Sequence, residues 1–388
     1  MIHKIKSPLT LKKIFERIQT EIKLKLLHYN KKIQKKVNLT LDSFINFSHQ
    51  TVIEIILDTE IIEKSKEDSI FINIRDRQNL PYYHIFFDSE KKEIERNYVT
   101  KDEKVSKIKI LIDKKEKSIH ELFKECKCVK EIKFIKFYRS DFTNYRSMFE
   151  DCQNLINLDI SKLKTDNVID MSEMFGSCIS LKNLDVSNFK TDKVISMKSL
   201  FRACKSIVKL DLSNFNTEKV IDMSFMFSAC VELKEINISS FKTNNVETMS
   251  MIFNQCKSLV KLDLSNFNTS NVTEMDLMFW DCESLKELNL TNFNTDNVIN
   301  MNRMFWKCSS IEKLDLSNFK TDKVKNMNFM FYQCSSLKEL DISNFKFAPN
   351  INISNMFKNC HKELKIKIMT IYKNKIDKKN NGNKHNLT

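Results

Sequence analysis

The feature that most constrains this chain is a beat of 26 residues. Ten of its eleven cysteines keep it without an insertion: Cys126, Cys152, Cys178, Cys204, Cys230, Cys256, Cys282, Cys308, Cys334 and Cys360. A phenylalanine stands three residues before each, from Phe123 to Phe357. A unit repeated at this period cannot bury its apolar face alone and must stack on its neighbours, so the chain is a solenoid.

One unit shows how the stacking works. Leu262 and Leu264 alternate with Lys261, Asp263 and Ser265, which is the periodicity of a strand. Asn266-Phe267-Asn268-Thr269 reads as a turn that buries an aromatic. Val272, Met275, Met278, Phe279 and Cys282 then follow at intervals of three and four, the spacing of one stripe on a helix, and Leu285 leads into the next strand. The expectation is an α/β solenoid over residues 105–370, with one short strand and one short helix per 26-residue repeat. The run Leu-Asp-Leu-Ser-Asn-Phe-x-Thr-x-x-Val-x-x-Met-x-x-Met-Phe-x-x-Cys resembles the BspA-like leucine-rich-repeat family, known from bacterial surface proteins and many protist proteins. That resemblance covers about residues 126–360 and implies a right-handed parallel-β solenoid with a binding rather than a catalytic role.

The flanks have a different texture. Residues 1–49 read as a helical segment, with Leu9, Leu11, Ile14, Phe15, Ile18 and Ile22 at helical spacing between lysines. The stretch from Pro8 through Ile14-Phe15 and Leu24-Lys-Leu-Leu27 loosely resembles an F-box, which implies a ubiquitin-ligase substrate adaptor that binds a Skp1-type subunit. A small helical cap or a basic amphipathic helix fits the same residues. Residues 50–104 hold β-rich runs at Thr51–Leu57, Ile70–Ile74 and Tyr83–Phe87 and read as a small β-rich domain or cap. After Cys360, Leu364-Lys-Ile366-Lys-Ile368 alternates like a last strand, and residues 371–388 read as a basic, disordered tail.

Two bulk properties exclude function classes. With only two glycines, Gly176 and Gly382, the chain has no phosphate-cradling glycine loop. The net charge of +14 suggests a polyanionic partner until it is divided: residues 1–125 carry +6, residues 361–388 carry +6, and the repeats between carry only +2. A nucleic-acid-binding solenoid would show a basic stripe along the repeats. No stretch has the apolar length of a membrane span or a signal peptide, and the reading is a cytoplasmic protein with free thiols and no cofactor.

Four columns of the repeat are candidates for chemistry. The cysteines would lie on neighbouring helices about 8–10 Å apart, too far for disulfides, and are expected to be free core side chains. No histidine lies between residues 126 and 360, so no zinc site is expected. The methionines from Met171 to Met327 share that stripe and read as core. The strand face carries a ladder of Asp159, Asp185, Asp211, Asn237, Asp263, Asn289, Asp315 and Asp341. Beside it run Lys209, Glu235, Lys261, Glu287, Lys313 and Glu339, so opposite charges meet between neighbours and the true unit is 52 residues long. This favours ladder stabilisation over a metal site.

The fourth candidate is aromatic. On a helix, residues 277 and 280 face away from the core. Those two columns hold Phe225, Met251, Leu277 and Phe329, with Trp280, Trp306 and Tyr332, whereas earlier repeats carry Glu173, Ser199, Arg202 and Ser228. Both tryptophans of the chain are here. Such clusters mark interaction sites. The leading reading is a non-enzymatic scaffold that binds a protein partner through Phe225, Leu277, Trp280, Trp306, Phe329 and Tyr332, or through the strand face. An F-box-like adaptor, a BspA-type surface adhesin and self-association through the aromatic patch are the other readings.

Overall fold

The computed structural model describes residues 51–377 apart from 89, 91, 114, 115 and 349. The helical segment and F-box-like stretch expected before residue 50, and residues 378–388 of the expected tail, lie outside the described residues.

The repeats form a solenoid, but not the one expected. The apolar stripe from Val272 to Cys282 is not helical. Its backbone is a run of overlapping turns: the Trp280 N–H bonds the Leu277 carbonyl (3.1 Å) and the Cys282 N–H bonds that of Phe279 (3.2 Å). The alternate N–H groups bond forward into the next repeat instead: Met275 to Asn300 (3.0 Å), Leu277 to Asn302 (2.9 Å), Phe279 to Met304 (2.9 Å) and Asp281 to Trp306 (2.7 Å). A helix would send every N–H four residues back. The alternation needs a reversal of backbone hand twice per repeat, and φ is indeed positive at Leu277 (53°) and Asp281 (62°). The same two columns are left-handed in every repeat from Glu121 and Glu125 to Asn355 and Asn359, with no glycine among them.

Parallel bridges continue the stacking elsewhere in the repeat, from Asn144–Asp170 through Thr248–Glu274 to Asn326–Asn352. Each repeat is therefore one coil of a largely β solenoid, a β-helix. This corrects the α/β leucine-rich-repeat expectation, and with it the specific BspA-type character read from the repeat motif. Among the described residues only three helical segments occur: α1 (Thr59–Lys64), a 3-10 helix (Arg77–Tyr82) and α2 (Lys362–Asp377).

The inward-facing residues are the expected ones. Val272, Met275, Met278, Phe279, Cys282 and Leu285 are fully buried. Intervals of three and four arise from consecutive turns as readily as from a helix, so the pattern identifies the core face without identifying the backbone. The phenylalanines stack along the axis, with ring centroids 5.4–6.0 Å apart from Phe227 to Phe305. All eleven cysteines are free and buried, but spacing is not the reason given above, since β coils stack about 4.8 Å apart. From Cys152 onward each thiol in the column is engaged by the coil before it: Cys256 donates to the Phe227 carbonyl (3.2 Å), Cys282 to Phe253 (3.1 Å) and Cys308 to Phe279 (3.1 Å).

Buried threonines close the other corner. Thr269 Oγ1 accepts from the Asn294 N–H (2.8 Å) and donates to the Asn294 carbonyl (2.7 Å). Thr243 does the same to Asn268 and Thr295 to Lys320.

The strands appear in pairs: β8 (Lys209–Asp211) with β9 (Glu235–Asn237), β10 (Lys261–Asp263) with β11 (Glu287–Asn289), and β12 (Lys313–Asp315) with β13 (Glu339–Asp341). The register Lys261↔Glu287 puts opposite charges side by side and Asp263↔Asn289 sets a neutral amide beside a carboxylate, so the 52-residue unit is visible in the sheet pairing.

Both ends are covered. At the N-terminal end, β1 (Thr51–Leu57) pairs antiparallel with β5 (Lys107–Ile112) and with β6 (Val129–Lys136). β6 then pairs in parallel with β7 (Asn157–Asp159), the next coil. With β3 (Tyr83–Phe87) they make a five-stranded sheet ordered β3-β5-β1-β6-β7. Two short strands, β2 (Ser69–Ile70) and β4 (Tyr98–Val99), pair separately. At the other end the expected strand at residues 364–368 is instead part of α2, whose Leu364 and Ile368 are buried. A helix there covers an open edge that a further strand would only have reproduced.

Candidate functional site

The coil backbone decides which side chains are left over for the surface. Columns 277 and 280 lie on the left-handed turn residue and on the residue that closes the following turn, and neither points into the core. Trp280, Trp306, Phe329, Tyr332 and Leu277 are all half-buried. They meet in one cluster: Trp280 and Trp306 are 5.9 Å apart, Trp306 stacks on Phe329 at 5.2 Å, and Tyr332 stands edge-on to Trp306 (5.0 Å) and Phe329 (5.4 Å). The turn geometry, rather than a helix face, brings them together. Phe225 is also half-buried but sits two coils before Leu277, beyond the reach of the ring cluster.

The sequence reading passed over Arg303. It occupies the same column, between Leu277 and Phe329, and adopts the same left-handed φ of 55°. Its guanidinium lies over the Trp306 ring (5.0 Å) and the Phe329 ring (5.1 Å), a cation–π arrangement. The 26-residue spacing alone places it in this column, but an apolar pattern does not single out a charged residue.

Beneath the cluster, Asp281 is 3% exposed and pairs with Lys257 (3.0 Å) and Lys307 (3.6 Å). Lys257 also reaches Glu283 (2.9 Å). The indole nitrogens of Trp280 and Trp306, with Asp281 Oδ1 and Asn328 Oδ1, are buried and lack hydrogen-bond partners among the described residues.

The strand-face ladder is chemically quieter. Asp211, Asp263, Asp315 and Asp341 each accept a backbone N–H two residues on, from Ser213 (3.0 Å), Ser265 (3.0 Å), Ser317 (2.9 Å) and Ser343 (2.8 Å). These bonds and the serine hydroxyls hold Asp211 and Asp263 below the usual carboxylate range, and the Ser317 hydroxyl, then its N–H, does the same for Asp315. Each Asp thus starts a turn. Lys209–Glu235 (2.8 Å), Lys261–Glu287 (3.0 Å) and Lys313–Glu339 (3.0 Å) pair across the strands. An open groove of about 700 Å³ runs over Asp185, Lys209, Asp211, Glu235 and Asn237. Among the described residues no group of three His, Cys, Asp or Glu side chains could hold a metal ion. No helix there is long and apolar enough to cross a membrane.

The model of the family described as "Mycoplasma protein of unknown function, DUF285" matches residues 117–235, 196–289 and 260–369. No curated protein matches the chain. Among solved structures, a leucine-rich repeat protein from Eubacterium ventriosum is 16% identical over 57% of this chain and 81% of its own, with a TM-score of 0.27. The structure of a TLR13–ssRNA13 complex is 16% identical over 58% of this chain and 41% of its own, with a TM-score of 0.25. These are weak, partial likenesses to leucine-rich-repeat and solenoid proteins in general, and they add nothing to the reading of the site.

Proposed function

Taking as premise that the chain belongs to this DUF285 family, we propose that it is a non-enzymatic scaffold whose solenoid docks a protein partner on the aromatic cluster around Trp306. The observation that carries this is the cluster itself: Trp280, Phe329 and Tyr332 each lie 5.0–5.9 Å from the Trp306 ring, on the outside of coils that close without them. Half-exposed Trp and Tyr beside an arginine is the composition of a binding hot spot, and the repeats present it on a backbone made rigid by the forward bonds.

The test is affinity capture from the native cell, run side by side with the full-length protein and a Trp280→Ser, Trp306→Ser, Tyr332→Ser variant whose circular dichroism matches. A partner held by the first and lost by the second supports docking at the cluster. Identical partners on both contradict it. Sedimentation of the two proteins at two concentrations separates a foreign partner from a second copy of the chain.

A further inference from the structure

We propose that Arg303 makes the aromatic cluster a receptor for a carboxylate-bearing peptide segment, an acidic residue flanked by apolar ones. This rests on the docking role of the cluster and adds its ligand chemistry. The guanidinium carbon lies beside the stacked Trp306 and Phe329 rings, 5.0 and 5.1 Å from their centroids. Its polar partner among the described residues is the Asn302 amide, which, in the orientation that satisfies both of its ends, accepts from Arg303 Nη1 (2.9 Å) and donates to the Asn328 carbonyl (2.8 Å). The acids nearby are occupied: Asp281 by Lys257 and Lys307, Glu283 by Lys257, and Asp276 by the Ser250 hydroxyl (2.5 Å). The Arg303 charge therefore has no carboxylate counterpart among the described residues.

A guanidinium carries five N–H donors in a planar fork that matches a carboxylate with two parallel bonds. The two cation–π contacts hold the guanidinium in place before the ligand arrives, so less side-chain freedom is lost on binding. The rings beside it offer apolar walls to the flanking residues. A nucleic acid fits less well: it needs a basic track along its backbone, whereas residues 126–360 carry a net charge of only +2.

Because both tryptophans of the chain are in this cluster, intrinsic fluorescence reads the site without a label. The probe is an array of blocked hexapeptides with one Asp or Glu among Leu, Ile, Phe and Tyr, each paired with its Asn or Gln counterpart. The acidic members are expected to bind about tenfold or more tightly than the amides, as charge-assisted bonds do. Arg303→Gln should erase that difference while leaving the weaker apolar binding, and Arg303→Lys should restore only part of it. Equal binding of acid and amide, no binding by any acidic peptide, or a difference that survives Arg303→Gln would each overturn the proposal. Tighter binding of oligouridylate than of any peptide would overturn it in favour of a polyanion. Equal binding that disappears with Trp306→Ser sinks the carboxylate and spares the docking site, whereas partner capture that survives the triple variant sinks the docking site itself.

Discussion

The coils from Glu173 to Ser228 and those from Leu277 to Tyr332 share one backbone and differ in what they show outside. In the earlier coils Phe175 N bonds Leu200 O (3.0 Å) and φ at Glu173 is 60°; in the later ones Phe279 N bonds Met304 O (2.9 Å) and φ at Leu277 is 53°. Yet the same two columns carry Glu173, Ser199, Arg202, Phe225 and Ser228 in the first set, with both serines buried, and Leu277, Trp280, Arg303, Trp306, Phe329 and Tyr332 in the second. A coil that closes equally well over Glu or Leu and over Ser or Trp does not owe its shape to those side chains. What the fold does not require is free to serve a partner.

That comparison can be broken in several places. The widest effect should come from alkali, because the thiol column runs through both sets. Burial pushes Cys230 and Cys282 up to about 12, against about 8.5 in an unfolded chain. The thiol contribution is then complete below about pH 8.5 and is lost as pH rises through the folded value, since the unfolded chain gives up these protons first. Circular dichroism with thiolate absorbance followed in parallel should show early and late coils unfolding together as the thiols ionise. Separate transitions would mean the two sets are not one cooperative stack.

Next in size, Phe279→Ala removes a ring stacked between Phe253 and Phe305 and should cost about 3–5 kcal/mol in urea unfolding. Trp306→Ser should cost clearly less. Equal costs would make the outer aromatics part of the fold. Thr269→Val strands both polar groups of Asn294 and should cost about 1–3 kcal/mol by the same measurement. Ala229→Gly should act in the opposite direction. Ala229 has φ of 60°, and relieving a left-handed Cβ should raise stability by about 1 kcal/mol in thermal melts. The smallest effect should be that of Lys261→Gln, which breaks an exposed pair with Glu287 and should leave the melting temperature almost unchanged.

Much of this architecture is legible in the sequence, because a column is a stronger signal than any single residue. The period shows a solenoid, the apolar positions show which side chains go inside, and the alternation of Lys209, Glu235, Lys261 and Glu287 shows the pairing of strands. The conformation between Val272 and Cys282 is not legible. Left-handed turn residues are normally announced by glycine, and here Leu277, Arg303, Phe329, Asp281 and Lys307 hold that geometry. Their strain is sustained by forward bonds on either side, which appear only once the coils are stacked. Arg303 is illegible for a different reason: a charged residue in an apolar column reads as an interruption, and only the fold sets its guanidinium beside two rings.

The claim that the later coils carry the binding face is tested most directly by hydroxyl-radical footprinting of the captured complex against the free chain. The account predicts that Trp280, Trp306, Phe329 and Tyr332 lose reactivity on binding, while Ile169, Ile195 and Ile221, exposed on another side of the earlier coils, keep theirs. Unchanged tryptophans with protection at those isoleucines or along the strand-face groove would contradict it.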